Sequence, residues 1–288
     1  MEEVIIIGAG PSGVSAAVNL YRNNINPLVI YKDASNLDIA SSIENYYGFK
    51  SISGIDLFNQ GISQLDFHKI KHLEEILFEI KEIKDGFQVI TNKNTYETRS
   101  IILANGIKRN KSDIKNLNLY EGRGISFCVR CDGFFYKNSK VSIIGNNSYL
   151  LHELSILREY TSDITVFTDG VDIDLNIPEK VIKDKIISFE GHTYFETIKT
   201  NSGVYDFDGC FIALGFPSNT TLNKTLGIEL DNNFIKVNEK YETNMKGLFA
   251  VGDAIGGLLQ VQKASYDGYR VVEYVKSYLK ELKNITNG

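Results

Sequence analysis

The most regular hydrophobic pattern in the chain lies at its start. Val4-Ile5-Ile6-Ile7 is an uninterrupted apolar run, as expected of a parallel strand buried on both faces. A glycine-rich turn follows, and then apolar residues at helical spacing: Val14, Ala17, Val18 and Tyr21. That spacing predicts a helix from Pro11 to about Asn24 with those side chains as its packing stripe. A second apolar run, Pro27 to Tyr31, completes a β-α-β pattern. The pattern returns in mid-chain, where Lys140 to Ile144 and Asp163 to Phe167 predict strands with a helix between them. Cys210 to Leu214 is a further apolar run. Near the C-terminus, Gly247 to Val251 reads as a short strand and Val261 to Leu282 as a long helix. Strands alternating with helices predict an α/β fold.

The first turn reads Gly8-Ala9-Gly10-Pro11-Ser12-Gly13. In a strand–turn–helix of this kind Gly8 allows the tight turn, Gly10 lets backbone approach a pyrophosphate, and Gly13 permits close helix–strand packing. Pro11 suits a first helical turn, where its missing N–H costs nothing. The helix start, with Ser12, then presents free N–H groups to phosphates. Asp33, just past the second strand, stands at about the distance expected of a ribose ligand. The late strand ends in Gly252-Asp253, where glycine admits a ligand and the carboxylate offers acceptors to hydroxyls.

Composition narrows the function. The chain has 288 residues, 43% of them hydrophobic, enough for two domains with real cores. A net charge of −5 argues against general nucleic-acid binding. No run of about 18 apolar residues is present, so no membrane span is expected. No basic leader precedes Val4, and the chain has 3 cysteines, so a reducing cytoplasm is expected.

Two of those cysteines form the motif Cys128-Val129-Arg130-Cys131, followed by Asp132-Gly133. Thiols at this spacing can close a small disulfide ring and cycle between dithiol and disulfide. Together with a nucleotide fingerprint, the pair points to electron transfer between a cofactor and a dithiol. The bland alternative is a zinc module joining the cysteines to His68 and His72, four apart on one helix face, but no metal site is expected. Cys210 is expected to pack as a small hydrophobe.

On these motifs the chain resembles the low-molecular-weight thioredoxin reductases along nearly its whole length. Further matching segments are Glu44-Asn45-Tyr46-Tyr47-Gly48-Phe49, Gly122 through Gly133, Phe211 to Gly215, Gly247 to Asp253, and Gln260-Val261. The resemblance implies two Rossmann-like, three-layer domains, the second inserted in the first. Residues 1–112 and 239–288 would bind FAD and 113–238 would carry the dithiol, with hinges near 108–115 and 237–245. Implied FAD contacts are Gly8, Gly10, Pro11, Ser12, Gly13, Asp33, Asn45, Ala104, Gly106, Gly252, Asp253, Gln260 and Val261. In the family the second cysteine faces the flavin and the first is exposed for exchange. Cys131 would therefore receive electrons, Cys128 would attack thioredoxin, and Asp132 would move the proton. A homodimer is also implied.

The second nucleotide loop departs from the family pattern. It reads Gly145-Asn146-Asn147-Ser148-Tyr149-Leu150, with a side chain at the pyrophosphate position and a bulky residue where helix packing needs a small one. Asp169, Asp172 and Asp174 stand where NADPH-dependent members carry arginines. Leu37-Asp38-Ile39-Ala40-Ser41 and Ala104-Asn105-Gly106 depart from the FAD-domain pattern. No pyridine nucleotide is therefore expected. Residues 108–140 carry Lys108, Arg109, Lys111, Lys115, Arg123, Arg130, Lys137 and Lys140 against Asp113, Glu121 and Asp132, a local excess of positive charge in an acidic chain. Such a field steers an acidic protein. In this the chain is similar to the ferredoxin-dependent flavin thioredoxin reductases, with reduced ferredoxin or another acidic carrier as donor. Competing readings are an NAD(P)H-dependent thioredoxin reductase and a flavin-dependent dithiol oxidase.

Overall fold

The computed structural model describes the chain apart from residues 35, 36, 38, 39, 107–113, 174, 215–218, 233, 287 and 288. The fold is α/β and divides into two compact units, Met1–Arg109 with Pro217–Gly288, and Asn110–Phe216.

The first unit begins with β1 (Glu2–Ile7), α1 (Pro11–Arg22), β2 (Pro27–Tyr31), α2 (Gly54–Phe67) and β3 (His72–Glu74). The strands β4 (Leu77–Ile83), β5 (Gly86–Thr91) and β6 (Thr95–Leu103) follow. The sheet runs β3-β2-β1-β6-β5-β4. Val4 to Ile7 are each at most 5% exposed, because β1 is central and pairs in parallel with both β2 and β6. The fully apolar run thus reflects a strand covered on both faces.

The helix α1 is packed more broadly than the expected stripe. Ala16 and Leu20 are fully buried beside Val14 and Ala17, whereas Tyr21 is 39% exposed and lies against the His68 ring. The helix has the sheet beneath it and further elements along its side, so its buried arc is wider and turned away from Tyr21.

In the second unit come α3 (Leu117–Tyr120), β7 (Ile125–Ser126), α4 (Val129–Asp132), β8 (Val141–Ile144), α5 (Ser148–Leu157), β9 (Ile164–Phe167) and β10 (Lys180–Ile182). The antiparallel strands β11 (Ile186–Glu190), β12 (Thr197–Thr200) and β13 (Val204–Asp206) form a separate small sheet before β14 (Gly209–Ile212). The main sheet of this unit is parallel, in the order β10-β9-β8-β14-β7. Two β-α-β cores of the same type therefore occur in one chain.

The return to the first unit comes earlier than expected. The resemblance implies an inserted domain that runs to residue 238. Instead α6 (Asn219–Leu226), β15 (Leu230–Asp231) and β16 (Phe234–Ile235) belong to the first unit. Leu222, Ile228 and Ile235 share a buried cluster with Ile5, Ile7, Leu103 and Leu248. Burial of those apolar side chains, not a composition change, sets the boundary. The hinge expected at 237–245 accordingly lies inside the first unit, and most of the one expected at 108–115 lies outside the described residues. The chain closes with β17 (Leu248–Ala250), which pairs with β6, and α7 (Val261–Thr286).

Candidate active site

In the first unit the glycine turn separates into three physical tasks. Gly8 has φ +111°, and a Cβ there would stand 2.3 Å from the carbonyl oxygen of Ala104. At Gly13 a Cβ would stand 1.9 Å from the oxygen of Gly8, so this glycine permits α1 to press on its own turn. Gly10 differs: no described atom lies within 4 Å of the place a Cβ would take. Nothing in the folding of the turn demands a glycine there, whereas close backbone approach by a phosphate group does.

Gly10 is the N-cap of α1 with no side-chain cap, and Pro11 begins the helix. The first-turn N–H groups of α1 thus have no internal acceptor at the cap, as an anion site requires. A cleft of about 330 Å³ opens against Gly10 and Pro11, lined also by Ser15, Val18, Tyr46 and Phe49. Asp33 follows β2 and pairs with Lys32 at 3.4 Å with its side chain 42% exposed. These residues fit a flavin dinucleotide: open backbone at the pyrophosphate position and a carboxylate beyond the second strand.

Residues far apart in sequence meet here. The amide of Asn45 donates to Gln260 Oε1 at 3.0 Å, and Gln262 Nε2 donates to the Asn45 carbonyl. Val261 opens α7 beside them. Ala104 is 5% exposed, its N–H bonded to Ile7, and Gly106 has φ +66°.

At the Gly252-Asp253 turn a Cβ on Gly252 would stand 2.5 Å from Ser12 Oγ, so glycine here admits the start of α1. The turn is held by a network that sequence reasoning missed. Asp267, 3% exposed, accepts the Gly252 N–H at 3.1 Å and the Tyr241 hydroxyl at 3.1 Å. Lys263 pairs with Asp267 at 2.8 Å and donates to the carbonyls of Gly252 and Gly256. Burial, with Asp267 beside it, raises Tyr241 well above the usual phenol range. The only signal in sequence was a Lys and an Asp four apart on a helix, a spacing found on many exposed surfaces.

In the second unit Cys128 and Cys131 are joined as a disulfide. Cys128 caps α4, its Sγ accepting the Cys131 N–H at 3.2 Å. The Ser126 hydroxyl donates to Asp132 Oδ2 at 2.6 Å and in turn accepts the Cys128 N–H at 3.1 Å. Asp132 is thus tied to the loop bearing Cys128. Contrary to expectation, Cys128 is the covered sulfur, 3% exposed, and Cys131 is only partly buried. A four-residue motif does not disclose which of its two cysteines is covered. Phe134 and Phe135, just beyond, are 69% and 76% exposed. Burial, with Asp132 and Cys210 nearby, raises Tyr136 above the ordinary phenol value. Cys210 itself is fully buried on β14, and burial pushes its thiol up to about 12.

The second nucleotide loop is closed by its own side chains. Asn147 is the N-cap of α5, and its Oδ1 accepts the Tyr149 N–H at 2.9 Å. Leu150 is fully buried, and a Cβ on Gly145 would stand 2.7 Å from it. At the end of β9, Asp169 pairs with Lys185 at 2.9 Å and also accepts the Ile186 N–H. Asp172 pairs with Lys183 at 2.6 Å, which lowers its pKa. Both acids are thus engaged by lysines, so their free negative field is smaller than the sequence suggested; Asp174 lies outside the described residues. The expected histidine pair does not form. The helix α2 ends at Phe67 and His72 already belongs to β3, with Lys69 between them at φ +55°. No group of three metal-binding side chains occurs among the described residues. Nor, among them, is any helix long and apolar enough to cross a membrane.

Comparison with known proteins places this architecture. The family model for pyridine nucleotide-disulphide oxidoreductases matches residues 2–268, and the chain belongs to that family. A thioredoxin reductase of Listeria monocytogenes is 30% identical, covering 98% of this chain and 95% of its own. The crystal structure of the atypical thioredoxin reductase TRi from Desulfovibrio vulgaris Hildenborough superimposes with a TM-score of 0.86 at 32% identity, over 98% and 99% of the two chains. A ferredoxin-flavin thioredoxin reductase from Clostridium acetobutylicum gives 0.74 at 28% identity, over 98% of each. Within the family the chain is a flavin-dependent disulfide oxidoreductase of the thioredoxin reductase type.

Proposed function

We propose that the protein is a thioredoxin reductase driven by reduced ferredoxin, or by another acidic one-electron carrier, and not by a pyridine nucleotide. The observation that carries this reading is the hydrogen bond from the Tyr149 N–H to Asn147 Oδ1 at 2.9 Å. In a dinucleotide site that helix start is left for the pyrophosphate. Here it has its own acceptor, Leu150 fills the space beneath, and lysine–aspartate pairs occupy the far strand end. The ferredoxin-flavin enzyme of Clostridium acetobutylicum among the similar structures supports the same donor.

FAD, held by Gly10, Ser12, Asp33, Asn45, Gln260 and Val261, would supply the conversion of single electrons into a pair. The chain's own residues then perform thiol–disulfide exchange. Two electrons and two protons open the Cys128–Cys131 bond. The Cys128 thiolate, stabilised by the Cys131 N–H, attacks the partner disulfide, and the partner sulfur that leaves takes a proton. Cys131 next attacks Cys128, the inner disulfide re-forms, and the partner departs as a dithiol. Asp132, fixed by Ser126, stands where a proton is received and returned. Because Cys128 is buried, this exchange includes a rearrangement that uncovers it. Exposed Phe134 and Phe135 offer a protein partner apolar area next to the disulfide. Exposed Lys115, Arg123, Arg130, Lys137 and Lys140 favour an acidic donor; Lys108, Arg109 and Lys111 lie outside the described residues. A cytoplasmic homodimer accords with this reading.

The test is an anaerobic titration of the yellow protein, following flavin absorbance with NADPH, NADH or enzymatically reduced ferredoxin, and thioredoxin as acceptor. Bleaching and turnover with ferredoxin alone are expected. Rapid bleaching by either pyridine nucleotide would overturn the donor assignment.

A further inference from the structure

A carboxylate is buried against the dithiol turn. Glu153 on α5 is 7% exposed, and its Oε2 accepts the Val129 N–H at 3.1 Å. Val129 directly follows Cys128. Backbone N–H groups next to the first cysteine of such a motif are what stabilise its thiolate. Here one of them, from Cys131, reaches Cys128 Sγ, while the other is taken by Glu153. A carboxyl oxygen therefore stands where the turn would otherwise present only donors. Glu153 lies in the second turn of the same helix whose start is closed by Asn147. The helix that serves a nucleotide in the family pattern is here fastened to the dithiol.

We propose that Glu153 is a positioning residue that sets the reduction potential of the Cys128–Cys131 pair, by fixing the turn through Val129 and disfavouring a thiolate on Cys128. The inference rests on the reading of this pair as the redox relay, and gives that relay a direction. Opening the disulfide breaks one S–S bond and adds two electrons. It takes up two protons if both sulfurs become thiols, or one if Cys128 remains a thiolate. A carboxylate nearby makes the second product less stable. The dithiol is then a stronger reductant and passes its electrons on more completely.

The experiment equilibrates the flavin-loaded protein with glutathione, in which two glutathione thiols become one glutathione disulfide as the protein disulfide becomes a dithiol. The disulfide fraction is read by alkylation and mass spectrometry for wild type, Glu153→Gln and Glu153→Asp. Gln keeps the acceptor and removes the charge, and about a tenfold shift toward the dithiol is expected, about 30 mV for a two-electron couple. Asp keeps the charge and is expected to shift the equilibrium less than about threefold. A folded Glu153→Gln protein within about twofold of wild type would overturn the proposal. Should that variant not fold, a tenfold shift in Glu153→Asp would overturn it instead. Neither ferredoxin, pyridine nucleotide nor thioredoxin enters this measurement. If the relay reading itself fails, the anaerobic titration shows no transfer to thioredoxin while the glutathione shift still stands.

Discussion

Asn147 Oδ1 accepts the backbone N–H of Tyr149 at 2.9 Å, so the helix start in the second unit is capped by its own chain. The corresponding start in the first unit, at Gly10, has no side-chain cap. Two β-α-β cores of one design thus differ at the atoms that meet a phosphate. Replacing Asn147 by Ala removes the cap. Chemical denaturation should show a loss of about 1 kcal/mol, typical of such caps. Because Leu150 still fills the loop, the variant should gain no response to NADPH in flavin absorbance.

Gly10 and Gly13 separate ligand binding from folding. Gly10→Ala meets no described atom, so its circular dichroism and melting temperature without flavin should match wild type. Its FAD affinity should fall at least about tenfold, about 1.4 kcal/mol, because a methyl group blocks the phosphate approach. Gly13→Ala must push the Gly8 carbonyl aside and should lower stability by about 2 kcal/mol even without flavin. Equal behaviour of the two variants would remove the assignment of Gly10 to the cofactor.

Lys263→Met leaves Asp267 buried without its cation. Loss of one partner of a buried pair costs about 3 kcal/mol or more. Urea unfolding should show that loss, and flavin should dissociate faster, since Lys263 and Asp267 together hold the Gly252 turn. Lys263→Arg, which keeps the charge, should recover part of the stability.

Cys210 should be silent in the folded protein. Burial keeps its thiol protonated to about 12, against an ordinary value of 9.0. Reduced native protein at pH 8 should therefore leave Cys210 unlabelled by iodoacetamide, and labelling should appear only in denaturant. A raised thiol pKa contributes stability that is fully present below about 9 and is lost as pH rises toward about 12. Cys210→Ala should flatten the alkaline side of the stability profile over that window.

Phe134→Ala and Phe135→Ala remove exposed aromatic surface beside the disulfide. Stability should change by less than about 0.5 kcal/mol, as at other exposed positions. The KM for thioredoxin should rise several-fold, with flavin reduction rates unchanged.

Much of this protein was decided by local sequence. The run Val4 to Ile7, the glycine turn and the spacing of Cys128 and Cys131 each specify a conformation within a few residues, where sterics and hydrogen bonding leave few choices. The altered second loop was equally legible, since Asn147 and Leu150 change the volume and bonding of the loop that contains them. The tertiary structure decided what depends on partners distant in sequence. Asn45 meets Gln260, and Leu222, Ile228 and Ile235 return to the core of Ile5 and Ile7, which moves the unit boundary. His68 and His72 part because the chain turns at Lys69 to reach the sheet edge, where β3 pairs with β2. The networks of Lys263 with Asp267 and of Glu153 with Val129 were likewise invisible. A buried charge is recognised only by what surrounds it, and those surroundings come from segments that neither spacing nor composition brings together.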